Sequence, residues 1–162
     1  MKNIKPIFFL CLILAAGCTS NNEVDNSKVL YPENYRDWTH IKSMVILPGH
    51  PLENPFKGIH HIYGNPKALE GYQTGNFPNG AAIVFDLLEY NEKENTMQEG
   101  SRKLIGVMEK DTNRFSKTGG WGYEGFGGDS KTERLTNDGG ASCYGCHSSQ
   151  QGQDYVFSRF RK

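Results

Sequence analysis

The segment "AAIVFDLLEY", residues 81 to 90, constrains the fold most. Ile83, Phe85 and Leu87 recur at every second position in a run rich in β-branched and aromatic side chains, so it reads as a strand with those three residues on one face. A strand needs partners, and "THIKSMVIL", "FKGIHHIYG", "RKLIGVMEK" and "GWGYEGF" supply them. In "FKGIHHIYG", Phe56, Gly58, His60 and Ile62 fall on one face and Ile59, His61 and Tyr63 on the other. Asn65 followed by Pro66 starts a short helix over "PKALEGYQ", and Gly75 stops it. Pro32 opens a short turn ending near Trp38. "NEKEN" reverses the chain, "DTNRFSK" is a short turn or helix, and "DYVFSRF" reads as a short amphipathic helix. The 19 glycines and the 12% aromatic content favour short strands joined by turns over a helical bundle. The expected fold is therefore α+β: an antiparallel sheet of four or five strands with two to four short helices, forming one domain over residues 30–162. Such a sheet presents one face to a ligand.

The N-terminus "MKNIKPIFFLCLILAAGC" carries Lys2 and Lys5, then an apolar run from Ile7 to Ala16, then small residues. It reads as a secretory signal over residues 1–17, and its run is too short for a spanning helix, which needs ~20 apolar residues. "LAAGC" also has the pattern of a lipobox, with Cys18 acylated as the new first residue; the alternative is ordinary cleavage that leaves Cys18 lost or free. Residues 18–29 are polar and suit a flexible tether. The expected location is the periplasmic side of a bacterial membrane, at the outer membrane, with membrane contact through the N-terminal lipid only. Cys11 leaves with the signal, so Cys143 and Cys146 alone remain in the domain and no disulfide framework is available. With 18 basic residues against 18 acidic ones and no block of like charge, the chain shows no signature of a nucleic-acid partner.

Those two cysteines stand in "CYGCH", residues 143 to 147. The pattern admits a redox dithiol, half of a zinc site, or covalent attachment of haem. A dithiol of the thioredoxin kind sits in a βαβ pattern, which is lacking here, and zinc needs a second ligand pair, whereas His40, His50, His60 and His61 lack finger spacing. The spacing is that of c-type haem attachment: Cys143 and Cys146 form thioethers with the porphyrin vinyl groups, and His147 is the proximal ligand of the iron. Export agrees with this, since c-type haem is attached outside the cytoplasm.

The blocks "YPENYRDW", "IYGNPKALEGYQTGNFPNGAAIVFDLLE", "VMEKDTNRF", "GGWGYEGF" and "CYGCH…DYVFSRF" together resemble the cytochrome P460 and cytochrome c′-beta family over Leu30 to Arg161. The resemblance implies an antiparallel sheet carrying one covalent haem c, in a homodimer. In the P460 branch, which oxidises hydroxylamine or nitric oxide, a lysine on the strand after the short helix bonds to the porphyrin. Phe85 aligns with that lysine, and no lysine occurs from Ala68 to Tyr90. The cytochrome c′-beta branch instead has two phenylalanines over the vacant iron face, which implies a cap of Phe56 and Phe85. An apolar cap offers no sixth ligand and admits small neutral diatomics such as NO and CO. On pattern alone both residues read as ordinary core.

His60, on the face of Phe56, is either a packed histidine or a distal group. Met97 and Met108 are weaker candidates as axial ligands, and Met108 reads as core. Glu133 or Asp138 falls where active P460 enzymes keep a distal carboxylate. Arg102, Lys103, Arg159 and Arg161 are candidate propionate partners or plain solvated charges. The leading expectation is a gas-binding cytochrome, with enzyme activity left open. An oxidoreductase of hydroxylamine or NO and a periplasmic electron carrier are the alternatives. The redox partner is not legible.

Overall fold

The computed structural model describes residues 27–161. The signal segment 1–17, the lipidation candidate Cys18 and most of the tether lie outside the described residues. No helix among the described residues is long and apolar enough to cross a membrane.

Five antiparallel strands form one sheet in sequence order: β1 (Thr39–Ile46), β2 (Gly58–Gly64), β3 (Ala82–Lys93), β4 (Thr96–Lys110) and β5 (Trp121–Gly127). This is the expected α+β arrangement. Among the described residues three short helices accompany it: α1 (Glu53–Phe56), a single kinked turn, α2 (Pro66–Thr74) and α3 (Ala141–His147). Turns of 3-10 helix occur at Tyr35–Asp37, Ser116–Thr118 and Ser148–Gln153.

Asn65 explains the corner between β2 and β3. Its side chain accepts from the Ala68 amide at 2.8 Å, capping α2, and from the Ala82 amide at 3.0 Å, fixing the start of β3. Pro66 fills the first helical turn and Gly75 closes the helix in the left-handed region, as the sequence predicts. The β3–β4 hairpin turns on Glu94 and Asn95, both with positive φ, so its strands run longer than "NEKEN" as a loop implies.

Two elements differ from expectation. β2 begins at Gly58 and not at Phe56, because Gly58 takes φ +145° and a Cβ there would lie 2.1 Å from the Leu88 carbonyl. Phe56 instead closes α1. Residues 154–160 are not helical: Asp154 and Tyr155 both adopt positive φ, and the segment after them runs irregularly.

Alternation along the strands sorts the core into two faces. One face carries Ile62, Ile83, Phe85, Met108, Trp121 and Tyr123, with Cys143 and Tyr144 packed against it. The opposite face carries Val84, Ile105, Val107 and Phe126, covered by Val29, Tyr31 and Tyr35. The register joins Ile62 to Phe85, Phe85 to Gly106 and Gly106 to Gly125, so bare backbone flanks Phe85 across the first face.

Candidate haem site

The "CYGCH" motif lies on α3, which packs against β5. Asp138 sets the start of this helix. Its carboxylate accepts from the Gly140 and Ser142 amides, each at 2.9 Å, and from the Ser142 hydroxyl. The Ser142 hydroxyl bond foremost, with the amide bonds, holds the Asp138 carboxyl below the usual carboxylate range. Asp138 is therefore a structural cap.

Cys143 is half-buried and Cys146 exposed, both as free thiols. Burial, aided by the Asp138 charge, pushes the Cys143 thiol up. A dithiol oxidoreductase needs the reverse, a depressed thiol. Nor is there a βαβ unit among the described residues, since every pair in the sheet is antiparallel.

His147 closes α3, and its Nδ1 lies 2.7 Å from the Tyr155 carbonyl oxygen. A carbonyl only accepts, so Nδ1 carries the proton and Nε2 keeps its lone pair. Burial lowers the imidazole's pKa, which keeps it neutral. Tyr123 and Phe157 flank the ring, each with a centroid 5.0 Å away.

The Tyr155 carbonyl is held by a clamp that sequence reasoning missed. Asp154 accepts from Lys110 Nζ at 2.6 Å and from the Phe77 amide at 2.9 Å, while Trp121 Nε1 donates to its carbonyl at 2.9 Å. These contacts, with positive φ at Asp154 and Tyr155, explain why "DYVFSRF" does not form a helix. The signal for the clamp is thin in sequence, because Lys110 and Asp154 stand 44 positions apart.

On the same sheet face, Phe56 and Phe85 meet edge to face with centroids 5.9 Å apart. His60 stacks on Phe85 at 4.6 Å with a 33° tilt. His60 is 4% exposed, and its Nδ1 is buried without a hydrogen-bond partner. Burial lowers its pKa to about 4, with the neighbouring His61 and Lys42 acting in the same direction. Tyr123 places a second unpartnered buried polar atom, its hydroxyl, on this face. Glu133 lies over Gly127, where a Cβ would come within 2.8 Å of its carboxylate. Leu135 similarly covers Gly125.

The other candidates fall elsewhere. Met108 is buried in the core and Met97 is exposed near the hairpin tip. Arg102 points to the opposite face, bonded to Asp86 at 2.7 Å and to Asp129. Lys103 donates to the Pro55 and Lys57 carbonyls, both at 2.8 Å, fastening the loop that carries Phe56. Arg159 and Arg161 are exposed.

The family model of cytochrome P460 matches residues 32–158, a span that holds the whole sheet and α3. The chain belongs to the cytochrome P460 family. Comparison with curated proteins returns no match. Membership implies a haem cofactor, and the residues fit one. In this P460 protein a neutral imidazole has Nδ1 anchored and Nε2 available. Two thiols precede it on the same helix. An apolar sheet face carries two unpartnered polar atoms, His60 Nδ1 and the Tyr123 hydroxyl. Among the described residues no group of three or more His, Cys, Asp or Glu side chains is placed to hold a metal ion by itself.

Proposed function

We propose that this protein is an exported c-type cytochrome that binds small diatomic gases, NO and CO, at a single covalently attached haem. Cys143 and Cys146 form the thioethers, His147 Nε2 is the proximal ligand, and Phe56 and Phe85 cap the distal side as in the cytochrome c′-beta branch. The haem supplies an iron with one position for an external ligand. The chain's residues decide what reaches that position.

The observation that carries this reading is the contact between Phe56 and Phe85. The sequence places them 29 positions apart, and the fold brings their rings together on the sheet face against which Cys143 packs. Two aromatic rings exclude water and supply no lone pair, so the site favours neutral diatomics over anions and bulky substrates. Lys110, on this face, is already committed to Asp154. At the aligned position of the P460-type porphyrin crosslink stands Phe85, which has no amine.

Export by the signal segment and anchoring through Cys18 at the periplasmic face of the outer membrane complete the proposal. A homodimer is part of it, supported by the edge strand β1, which exposes Met44 and Val45.

A second reading, oxidation of hydroxylamine or NO, draws on Glu133, whose carboxylate lies over Gly127 on the face of Phe85. Absorption spectra of the ferric and ferrous protein, with and without CO and NO, decide between them. Five-coordinate high-spin bands with ready CO and NO binding are expected. A red-shifted crosslink-type Soret band supports the enzyme. Low-spin bands indifferent to CO indicate an electron carrier and defeat the gas-binding reading.

A further inference from the structure

The Phe56 and Phe85 pair has a polar neighbour that an apolar cap does not require. His60 pairs with Leu87 in the β2–β3 register, which puts its side chain on the face of Phe85 and Ile62. Its ring lies against Phe85, and Phe85 meets Phe56, so the imidazole is pinned on the flank of the pair. A packed histidine normally satisfies both nitrogens, because an unpaired buried polar atom costs stability. Among the described residues His60 Nδ1 has no partner. His61, on the other strand face, differs in that its Nδ1 bonds Ser43 Oγ at 2.6 Å, while its Nε2 makes no hydrogen bond but lies 2.8 Å from the Glu99 carboxylate.

We propose that His60 is the specificity-determining hydrogen-bond donor of the distal site, contacting a polar diatomic bound at the haem iron. This rests on the gas-binding reading above and deepens it. A neutral imidazole carries one N–H, and the burial that keeps His60 neutral also strips water from that donor. Diatomics that accumulate negative charge on their outer atom gain from such a donor, and CO gains little. His60 therefore favours O2 over CO at a site whose phenylalanines alone would not distinguish them by polarity.

The test is the infrared C–O stretch of the ferrous CO complex, with the ratio of CO to O2 affinity, in wild type, His60→Leu and His60→Gln. His60→Leu is expected to raise the stretching frequency and to raise the CO/O2 affinity ratio about tenfold, the equivalent of one buried hydrogen bond. His60→Gln keeps an N–H and is expected to retain most of the wild-type frequency. A shift of the wild-type band in deuterated solvent supplies the same evidence without a variant, should the leucine protein fail to fold. Identical frequencies and ratios in wild type and His60→Leu overturn the proposal. Wild type that ignores CO while His60→Leu binds it makes His60 a sixth ligand and also overturns it. No CO binding by any of the three proteins overturns the gas-binding reading itself.

Discussion

The two faces of the sheet treat their most buried ionisable side chains differently. On the face of Val84, Asp86 is fully buried but bonded by Arg36 Nε at 2.8 Å and Arg102 Nε at 2.7 Å. Burial alone would raise its pKa, yet the arginine bonds outweigh that and hold the carboxyl below its usual range. Glu124 on the same face accepts from Arg134 at 2.7 Å, from Thr136 Oγ1 at 2.5 Å and from the Gly125 amide at 2.8 Å. On the face of Phe85, by contrast, His60 Nδ1 is buried and, among the described residues, unpartnered; the tyrosines do not separate the faces, since the Tyr123 hydroxyl here and the Tyr35 hydroxyl opposite both lack a hydrogen bond. Carboxylates held by arginines fasten the fold, whereas a buried imidazole with an unpaired nitrogen calls for an explanation that a ligand on its face would supply.

This contrast can be broken by substitution. Asp86→Ala removes the carboxylate between two arginines and is expected to destabilise the protein by about 3 kcal/mol. That is the low end for a buried pair, since Arg36 and Arg102 keep some solvent contact. Denaturant unfolding measures the loss, and the haem spectrum of the folded fraction should not change. A changed spectrum would mean that the two faces are not functionally separate.

A smaller effect separates the faces by pH. The folded pKa of His60, about 4, lies below its ordinary 6.5. As pH falls through this window the unfolded chain takes up the proton first, so stability is full above 6.5 and lost as pH drops toward 4. The loss is roughly 2 to 3 kcal/mol after allowance for solvent screening. His60→Leu should flatten this part of the stability profile. Asp86→Ala should leave it in place, because the Asp86 contribution is lost only below the ordinary carboxylate range. Parallel profiles for wild type and His60→Leu between pH 6.5 and 4 would show that His60 is not buried as described.

The strands were legible because alternation and turn residues are local signals. Asn65, Pro66 and Gly75 bound a helix from their chemistry alone. Asp86 was present as the one charge within "AIVFDLL", but its arginine partners lie 16 and 50 positions away and no periodicity links them. The bond from Arg102 to Asp86 is equally non-local, since the β-bulges between Leu87 and Tyr90 shift the register through its position. In the candidate site, "CYGCH" named its own residues and the family resemblance paired Phe56 with Phe85. What escaped was support at a distance: Lys110 and Asp154 fix Tyr155, and Tyr155 fixes His147. The contact of His60 with Phe85 is a cross-strand diagonal, invisible until the β2–β3 register is known.

Covalent attachment of haem to α3 through Cys143 and Cys146, with His147 at the iron, underlies both the gas-binding proposal and the role proposed for His60. The most direct measurement is the mass of the denatured, acid–acetone-extracted protein after expression with a c-type maturation system. One haem retained per chain is predicted, lost in the Cys143→Ser, Cys146→Ser double variant. Wild-type protein that releases all its haem to the solvent, or that carries none, would contradict the account.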